Sequence, residues 1–216
     1  MTDLRRIPLF EGVAEAELRA LAERTVTRSY PKQAILVSEG DDSDSLYLIL
    51  AGRVKVYLGD EAGKELILAI KGPGQYFGEM VLDSQPRSAS VMTLEASQFA
   101  ILSRADFKEF LLRHAEVALQ LIENLIRVAR GLNQNVRSLA MLDVYGRVAR
   151  ILLELAVDQG GGKLVIPEKL TQKDIAARVG ASREMINRIL RDLTTGGYVT
   201  VEAGRITINK APPARW

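Results

Sequence analysis

Residues 170–190 read Leu170-Thr-Gln-Lys-Asp-Ile-Ala-Ala-Arg-Val-Gly-Ala-Ser-Arg-Glu-Met-Ile-Asn-Arg-Ile-Leu190, and this stretch decides the fold of the C-terminal third. Thr171 can cap a first helix, with Asp174 three residues on as the reciprocal partner of a capping box. Ile175 and Val179 face inward, small Ala176 lets a second helix approach, and Gly180 is free to take the positive φ of a tight turn. Ser182 then caps a second helix with Ile186, Ile189, Leu190 and Leu193 on one face and Arg183, Glu184, Asn187, Arg188 and Arg191 on the other. Helix, glycine turn and polar-faced second helix have the form of a helix-turn-helix.

The polar face has the chemistry of a base reader. Arg183, near the helix start, can bond a guanine edge in fork geometry, and Glu184 can accept from cytosine N4. Arg188, a turn later, reaches a neighbouring base or phosphate. Ser182 and Asn187 belong to the same surface, and Lys173 is expected to contact phosphate. An ordinary solvated amphipathic helix is the plainer alternative. Charge favours the first: residues 137–216 carry 13 Lys/Arg and 8 Asp/Glu, for +5, whereas residues 1–136 carry 16 and 19, for −3.

Around the motif the pattern continues. Asp143 is a plausible N-cap for a helix through Leu155, followed by Gly160-Gly161-Gly162, a strand Lys163–Ile166, and a terminal hairpin of Tyr198–Val201 and Arg205–Ile208 turning at Ala203-Gly204. Before it, from near Asp106, Leu111, Ala115, Ala118, Ile122, Leu125, Ala129, Leu132, Val136 and Leu139 step by four and three. Such a seam predicts one long helix paired with a twin in a homodimer, with Ala118, Ile122, Leu125, Ala129, Leu132 and Val136 at the interface. A single core helix is the alternative. A second set, Leu112, Leu119, Ile126 and Val128, lies on a neighbouring face that could pack on the rest of the chain.

The N-terminal half has another period. Residues 14–25 read as a short amphipathic helix, and from Tyr30 to Ser103 short β-rich runs alternate with turns: Ala34–Val37, Leu46–Leu50, Val54–Leu58, Glu65–Ile70, Ala89–Thr93 and Gln98–Leu102. Strands this regular suggest an antiparallel sandwich or barrel. The chain of 216 residues is 47% hydrophobic and 26% charged, which favours packed domains over disorder. With no cysteine it can hold no disulfide, thiol nucleophile or Cys-ligated iron–sulfur cluster, and one histidine precludes a multi-His metal centre. No metal, haem or catalytic residue is expected. Met-Thr-Asp-Leu-Arg-Arg lacks an apolar leader and no apolar run is long enough for a membrane span, so a cytoplasmic, membrane-free protein is expected.

At Thr171–Leu190 the chain resembles the DNA-binding motif of Crp/Fnr-type bacterial transcription regulators, and Ala181–Arg188 looks like the recognition helix of the cAMP-receptor branch. Leu139-Ala-Met-Leu-Asp143-Val-Tyr-Gly-Arg147 is similar to that family's hinge, and Tyr76-Phe77-Gly78-Glu79 with Pro86-Arg87-Ser88-Ala89 to its phosphate-binding cassette. The resemblance implies an α+β chain. A cyclic-nucleotide-binding antiparallel β-roll would occupy residues 1–110, a dimerisation helix and hinge 111–139, and a winged helix-turn-helix 140–216. It further implies a palindromic double-stranded DNA site with TGTGA-like half-sites, RNA polymerase as a partner, and no enzyme activity.

The cassette also makes chemical sense. A cyclic nucleotide has a monoanionic phosphate and a ribose hydroxyl, so its pocket needs a cation, hydroxyl or backbone donors, and an acceptor. Arg87, Ser88 with the Gly78 amide, and Glu79 supply these; a structural salt bridge is the alternative. Glu79 and Arg87 are eight residues apart, a shorter connection than in the best-known cAMP receptor. Where that receptor's dimer helix offers two hydroxyls to the base, this chain aligns Leu132 and Asn133, of which only Asn133 can hydrogen-bond. The effector expected first is cAMP, with cyclic di-GMP or cGMP as alternatives, or a ligand-independent regulator. A different class, a cyclic-nucleotide-binding regulatory subunit for a protein partner, is disfavoured by the Arg183, Glu184 and Arg188 face.

Overall fold

The computed structural model describes residues 3–42, 44–61, 63–160 and 164–213. The chain is α+β and divides into two units, Met1–Glu61 with Ile67–Ala129, and Ala62–Leu66 with Arg130–Trp216. The division falls inside the long helix rather than setting that helix apart.

In the first unit two short 3-10 turns, Leu4–Arg6 and Pro8–Phe10, precede helix α1, Glu15–Glu23. Among the described residues eight strands follow: β1 Val26–Tyr30, β2 Ile35–Val37, β3 Ser45–Ala51, β4 Val54–Gly59, β5 Glu65–Lys71, whose first two residues count with the second unit, β6 Tyr76–Phe77, β7 Ser90–Thr93 and β8 Ser97–Ser103. They make two four-stranded sheets, β1-β8-β3-β6 and β2-β7-β4-β5, antiparallel wherever their register is defined. Alternation along β3 and β8 divides the core. Ile49 and Phe99 face Val37, Val54 and Val91 between the sheets, while Leu46, Leu48, Ala100 and Leu102 face the helices and the N-terminal turns. The six sequence-read strands are all present. The strands missed are β1, a largely exposed edge whose Val-Thr-Arg-Ser-Tyr lacks an apolar face, and two-residue β6.

The helical seam needs correction. Helix α2 spans Arg104–Arg113, His114 leaves helical geometry at φ −123°, ψ 80°, and α3 starts afresh over Ala115–Met141. Buried His114 sits between two carboxylates, Nε2 at 3.4 Å from Glu17 and Nδ1 at 3.2 Å from Glu116, with its ring centroid 4.2 Å from that of Phe110. Leu111 therefore lies on α2, half-buried against the core, and drops out of the seam. The second apolar set is likewise not what packs on the roll: Leu112 is 80% exposed, and Leu119, Ile126 and Val128 are exposed too. Val117 and Leu121, one turn apart, are the buried residues of α3.

In the second unit, Asp143 caps α4 (Val144–Leu155) by accepting the Gly146 N–H at 2.7 Å. β9 Val157–Asp158, unread in the sequence, pairs with β10 Leu164–Val165; Gly161, Gly162 and Lys163 of the expected breaker and strand lie outside the described residues. Helices α5 (Gln172–Val179) and α6 (Arg183–Thr195) follow, then the hairpin β11 Val199–Glu202 and β12 Arg205–Ile208. The sheet order β11-β12-β10-β9 forms the wing. Tyr145, Val148, Leu152, Ile175, Ile186, Leu193 and Ile206 fill a separate core. Among the described residues no helix is long and apolar enough to cross a membrane.

Candidate functional site

The cassette is built at the end of β6. Gly78, at φ 83°, turns the chain from Phe77 into a 3-10 turn over Glu79–Asp83. Only glycine fits there: besides the left-handed backbone, a Cβ would collide with Arg87 Nη1 and lie 3.0 Å from the Ser45 carbonyl oxygen. The Arg87 N–H donates to the Asp41 carbonyl at 2.8 Å, and its own carbonyl accepts from the Gly40 N–H at 2.9 Å. Its guanidinium donates from Nη2 to the Ser45 carbonyl at 2.8 Å and stands 5.7 Å from the ring centroid of Tyr47, which stacks on Phe77 at 4.7 Å.

What this frame holds is incomplete as a purely internal structure. Arg87 Nε and Glu79 Oε2 are buried and have no hydrogen-bond partner among the described residues. Each such group costs about 1–3 kcal/mol unless something else satisfies it. Burial pushes the Arg87 pKa down, with Tyr47, Asp44 and Glu79 opposing that shift. A half-buried cation with an unpartnered donor, beside an acceptor short of a donor, fits an anion that also carries a hydroxyl. Ser88 is exposed, its Oγ 3.2 Å from Met80 Sδ, so little holds its hydroxyl. Gly78, Glu79, Arg87 and Ser88 are thus brought together.

Leu132 and Asn133 lie on α3 beyond Ala129, in the second unit, and are exposed. The link between α3 and the strand leading into the cassette is one the sequence reading missed. Asn124 Nδ2 donates to Tyr76 Oη at 2.7 Å, and burial pushes the Tyr76 pKa up to about 12. Of the seam residues, Ala118 is half-buried, and Ile122, Leu125, Ala129, Leu132 and Val136 are exposed.

The helix-turn-helix forms as its residues require. Thr171 Oγ1 accepts from the Asp174 N–H at 3.1 Å while Asp174 Oδ2 accepts from the Thr171 N–H at 2.8 Å, closing the capping box; Gly180 takes φ 71°. The Ser182 hydroxyl caps α6 through the Met185 N–H, and Ile186, Ile189, Leu190 and Leu193 are buried. Ser182, Arg183, Glu184, Asn187, Arg188 and Lys173 are all exposed. Among the described residues nothing pairs with Arg183, Glu184 or Lys173, whereas Asn187 Oδ1 accepts from Gln172 at 3.1 Å and Arg188 Nη2 rests 2.9 Å from Met185 Sδ. Arg147, unassigned in the sequence beyond the hinge match, donates to the carbonyls of Leu142 at 2.9 Å and Val179 at 3.1 Å, joining the end of α3 to the turn of the reading motif.

Known proteins match on the same two halves. Residues 27–114 match the cyclic nucleotide-binding domain family, and residues 146–212 the Crp-like helix-turn-helix domain. Over 210 residues, 95% of this chain and 94% of the relative, the sequence is 34% identical to a CRP-like cAMP-activated global transcriptional regulator of Mycobacterium tuberculosis. It is 33% identical over 205 residues to the cyclic AMP receptor protein of Thermus thermophilus, covering 94% of this chain and 93% of that one. In three dimensions it resembles CLP, the c-di-GMP responsive global regulator of Xanthomonas campestris, with TM-score 0.77 at 22% identity over 90% of this chain and 99% of that one, a likeness of fold.

Proposed function

Because this chain belongs to the Crp/Fnr family of transcription regulators, with a cyclic nucleotide-binding domain ahead of a DNA-binding helix-turn-helix, we propose that it acts as a homodimer whose DNA affinity is set by cAMP held in the cassette. The carrying observation is the pair of buried, unpartnered atoms, Arg87 Nε and Glu79 Oε2, within one cassette. In this reading Arg87 faces the cyclic phosphate, Ser88 and the Gly78 amide donate to it, and Glu79 accepts from the ribose hydroxyl. Asn133 and Leu132 meet the base; Leu132 hydrogen-bonds neither adenine nor guanine and the Asn133 amide can donate and accept, so a cyclic dinucleotide or cGMP is the second reading, supported by CLP, a c-di-GMP responsive regulator of the same fold.

Dimerisation is supported by the exposed Ile122, Leu125, Leu132 and Val136, an apolar face that water would otherwise cover. The functional division then runs 1–110 sensing, 111–139 dimerisation and hinge, and 140–216 reading. A two-fold dimer reads a palindrome with TGTGA-like half-sites about one helical turn apart, roughly 34 Å centre to centre, in the cytoplasm and beside RNA polymerase. Titration calorimetry with cAMP, cGMP and c-di-GMP, followed by fluorescence anisotropy on such a duplex, is the test. One of them should bind and tighten DNA binding; binding by none overturns the gating.

A further inference from the structure

β6 has two residues and, among the described residues, pairs with β3 alone, Tyr47 against Phe77 and Leu48 against Tyr76, with two further backbone bonds linking Ile49 to Gln75 and Gly74 just before it, so the strand that delivers Gly78 and Glu79 is held by the sheet from one side. Side chains supply the rest. Lys71 Nζ donates to the Tyr76 carbonyl at 2.7 Å and lies 5.6 Å from the Tyr76 ring centroid. Tyr76 is only 7% exposed, and its Oη accepts the Asn124 amide from α3 at 2.7 Å. A buried phenol is costly to strip of its partner, so this bond resists separation of the strand from the helix.

That makes the pair a mechanical tie. Tyr76 precedes Gly78 by two residues, and Asn124 sits about a third of the way along a helix that continues unbroken to Met141, one residue short of Leu142, whose carbonyl holds Arg147. A backbone shift at Gly78, were a ligand to draw in the Arg87 and Glu79 side chains, would reach α3 through Tyr76. Elements that have two packed arrangements, not graded ones, pass on such shifts. We propose that Asn124 and Tyr76 are the positioning residues that couple cassette occupancy to α3, touching the helix and the strand but not the nucleotide. This rests on the nucleotide reading above.

Tyr76→Phe removes one oxygen from a buried ring, and Asn124→Leu breaks the same bond from the helix, so a folding defect in one leaves the other to decide. In the full chain, affinity for cAMP, cGMP and c-di-GMP is measured by calorimetry and DNA affinity by anisotropy with and without the effector found. Asn124→Leu should keep nucleotide affinity within about threefold of wild type, and each variant should lose about tenfold of the ratio between liganded and free DNA affinity. The double variant should lose no more than either single one, because both remove one bond. A wild-type ratio in both singles, or lower melting temperature and nucleotide affinity with the ratio intact, overturns the proposal. If wild type itself binds none of the three, the nucleotide reading falls and the coupling with it; if wild type responds and the variants respond equally, the coupling alone falls.

Discussion

Arg87 is the residue on which the sensing reading turns, because it combines burial, a backbone anchor at Ser45 and an open Nε. Arg87→Leu should weaken nucleotide binding by about 2–3 kcal/mol, roughly 30- to 150-fold, with the melting temperature little changed; calorimetry and thermal unfolding check both. At the other end, Arg183→Ala should cost about 1–3 kcal/mol on the cognate duplex and much less on random DNA, since base contacts discriminate and phosphate contacts position. Equal losses on both would make Arg183 a backbone contact. Tyr76 gives a pH signature. Its pKa is about 12 in the fold and near 10 when exposed, so the unfolded chain holds fewer protons between those values. Stability is therefore full below pH 10 and falls as pH rises towards 12, by at most about 3 kcal/mol from this group at 1.36 kcal/mol per pKa unit. Tyr47 and Tyr145, also raised chiefly by burial, pull the same way, and Tyr76→Phe should make the loss shallower in urea unfolding at pH 9 and pH 11.5. Gly78, Glu79, Arg87 and Ser88 were read from the resemblance to the family's cassette, since Gly-Glu and Arg-Ser alone are weak signals. Tyr47, Tyr76 and Asn124 were given no role: a tyrosine in a strand and an asparagine in a helix are ordinary until the fold sets them against the cassette.

Among elements, α3 separates what a periodic pattern reveals from what it conceals. The four-three spacing of apolar residues identified a helix and its apolar side, yet carried straight through His114, where burial among Glu17, Glu116 and Phe110 replaces a continuous helix by a corner. Periodicity records side-chain type alone, and the residue that ends α2 has no glycine or proline to mark it. The helix-turn-helix was fully legible for the opposite reason: its caps and its turn use residues with narrow backbone roles, Thr171 with Asp174, Gly180 and Ser182. β1 escaped because an edge strand with both faces largely exposed needs no apolar alternation. The exposed residues of α3 carry the dimer proposal. Ile122→Glu with Leu125→Lys should give monomers by light scattering and abolish specific DNA binding, with nucleotide-cassette residues untouched; a persistent dimer would place the interface elsewhere.

At the scale of the molecule, the chain has separate cores in its two units, one around Phe10, Phe107 and Phe110 and one around Val148, Ile175 and Leu193. Its acidic balance lies before residue 137 and its basic balance from residue 137 on, so charge marked the second part as the candidate for a polyanion partner, and the helix-turn-helix pattern gave that candidate its form. The long helix that starts in the first unit and ends in the second bears Leu119, Ile122, Leu125, Ile126, Leu132, Val136 and Leu139 on its exposed surface. If a second copy covers them, folding and association are one equilibrium, and mass action enters the stability of the protein. The thermal midpoint should then climb with protein concentration, measurably across a hundredfold dilution series in scanning calorimetry, and become independent of it in the Ile122→Glu, Leu125→Lys variant. A cell holding few copies of this chain would thus hold a less stable protein than one holding many, so its abundance would set its own lifetime.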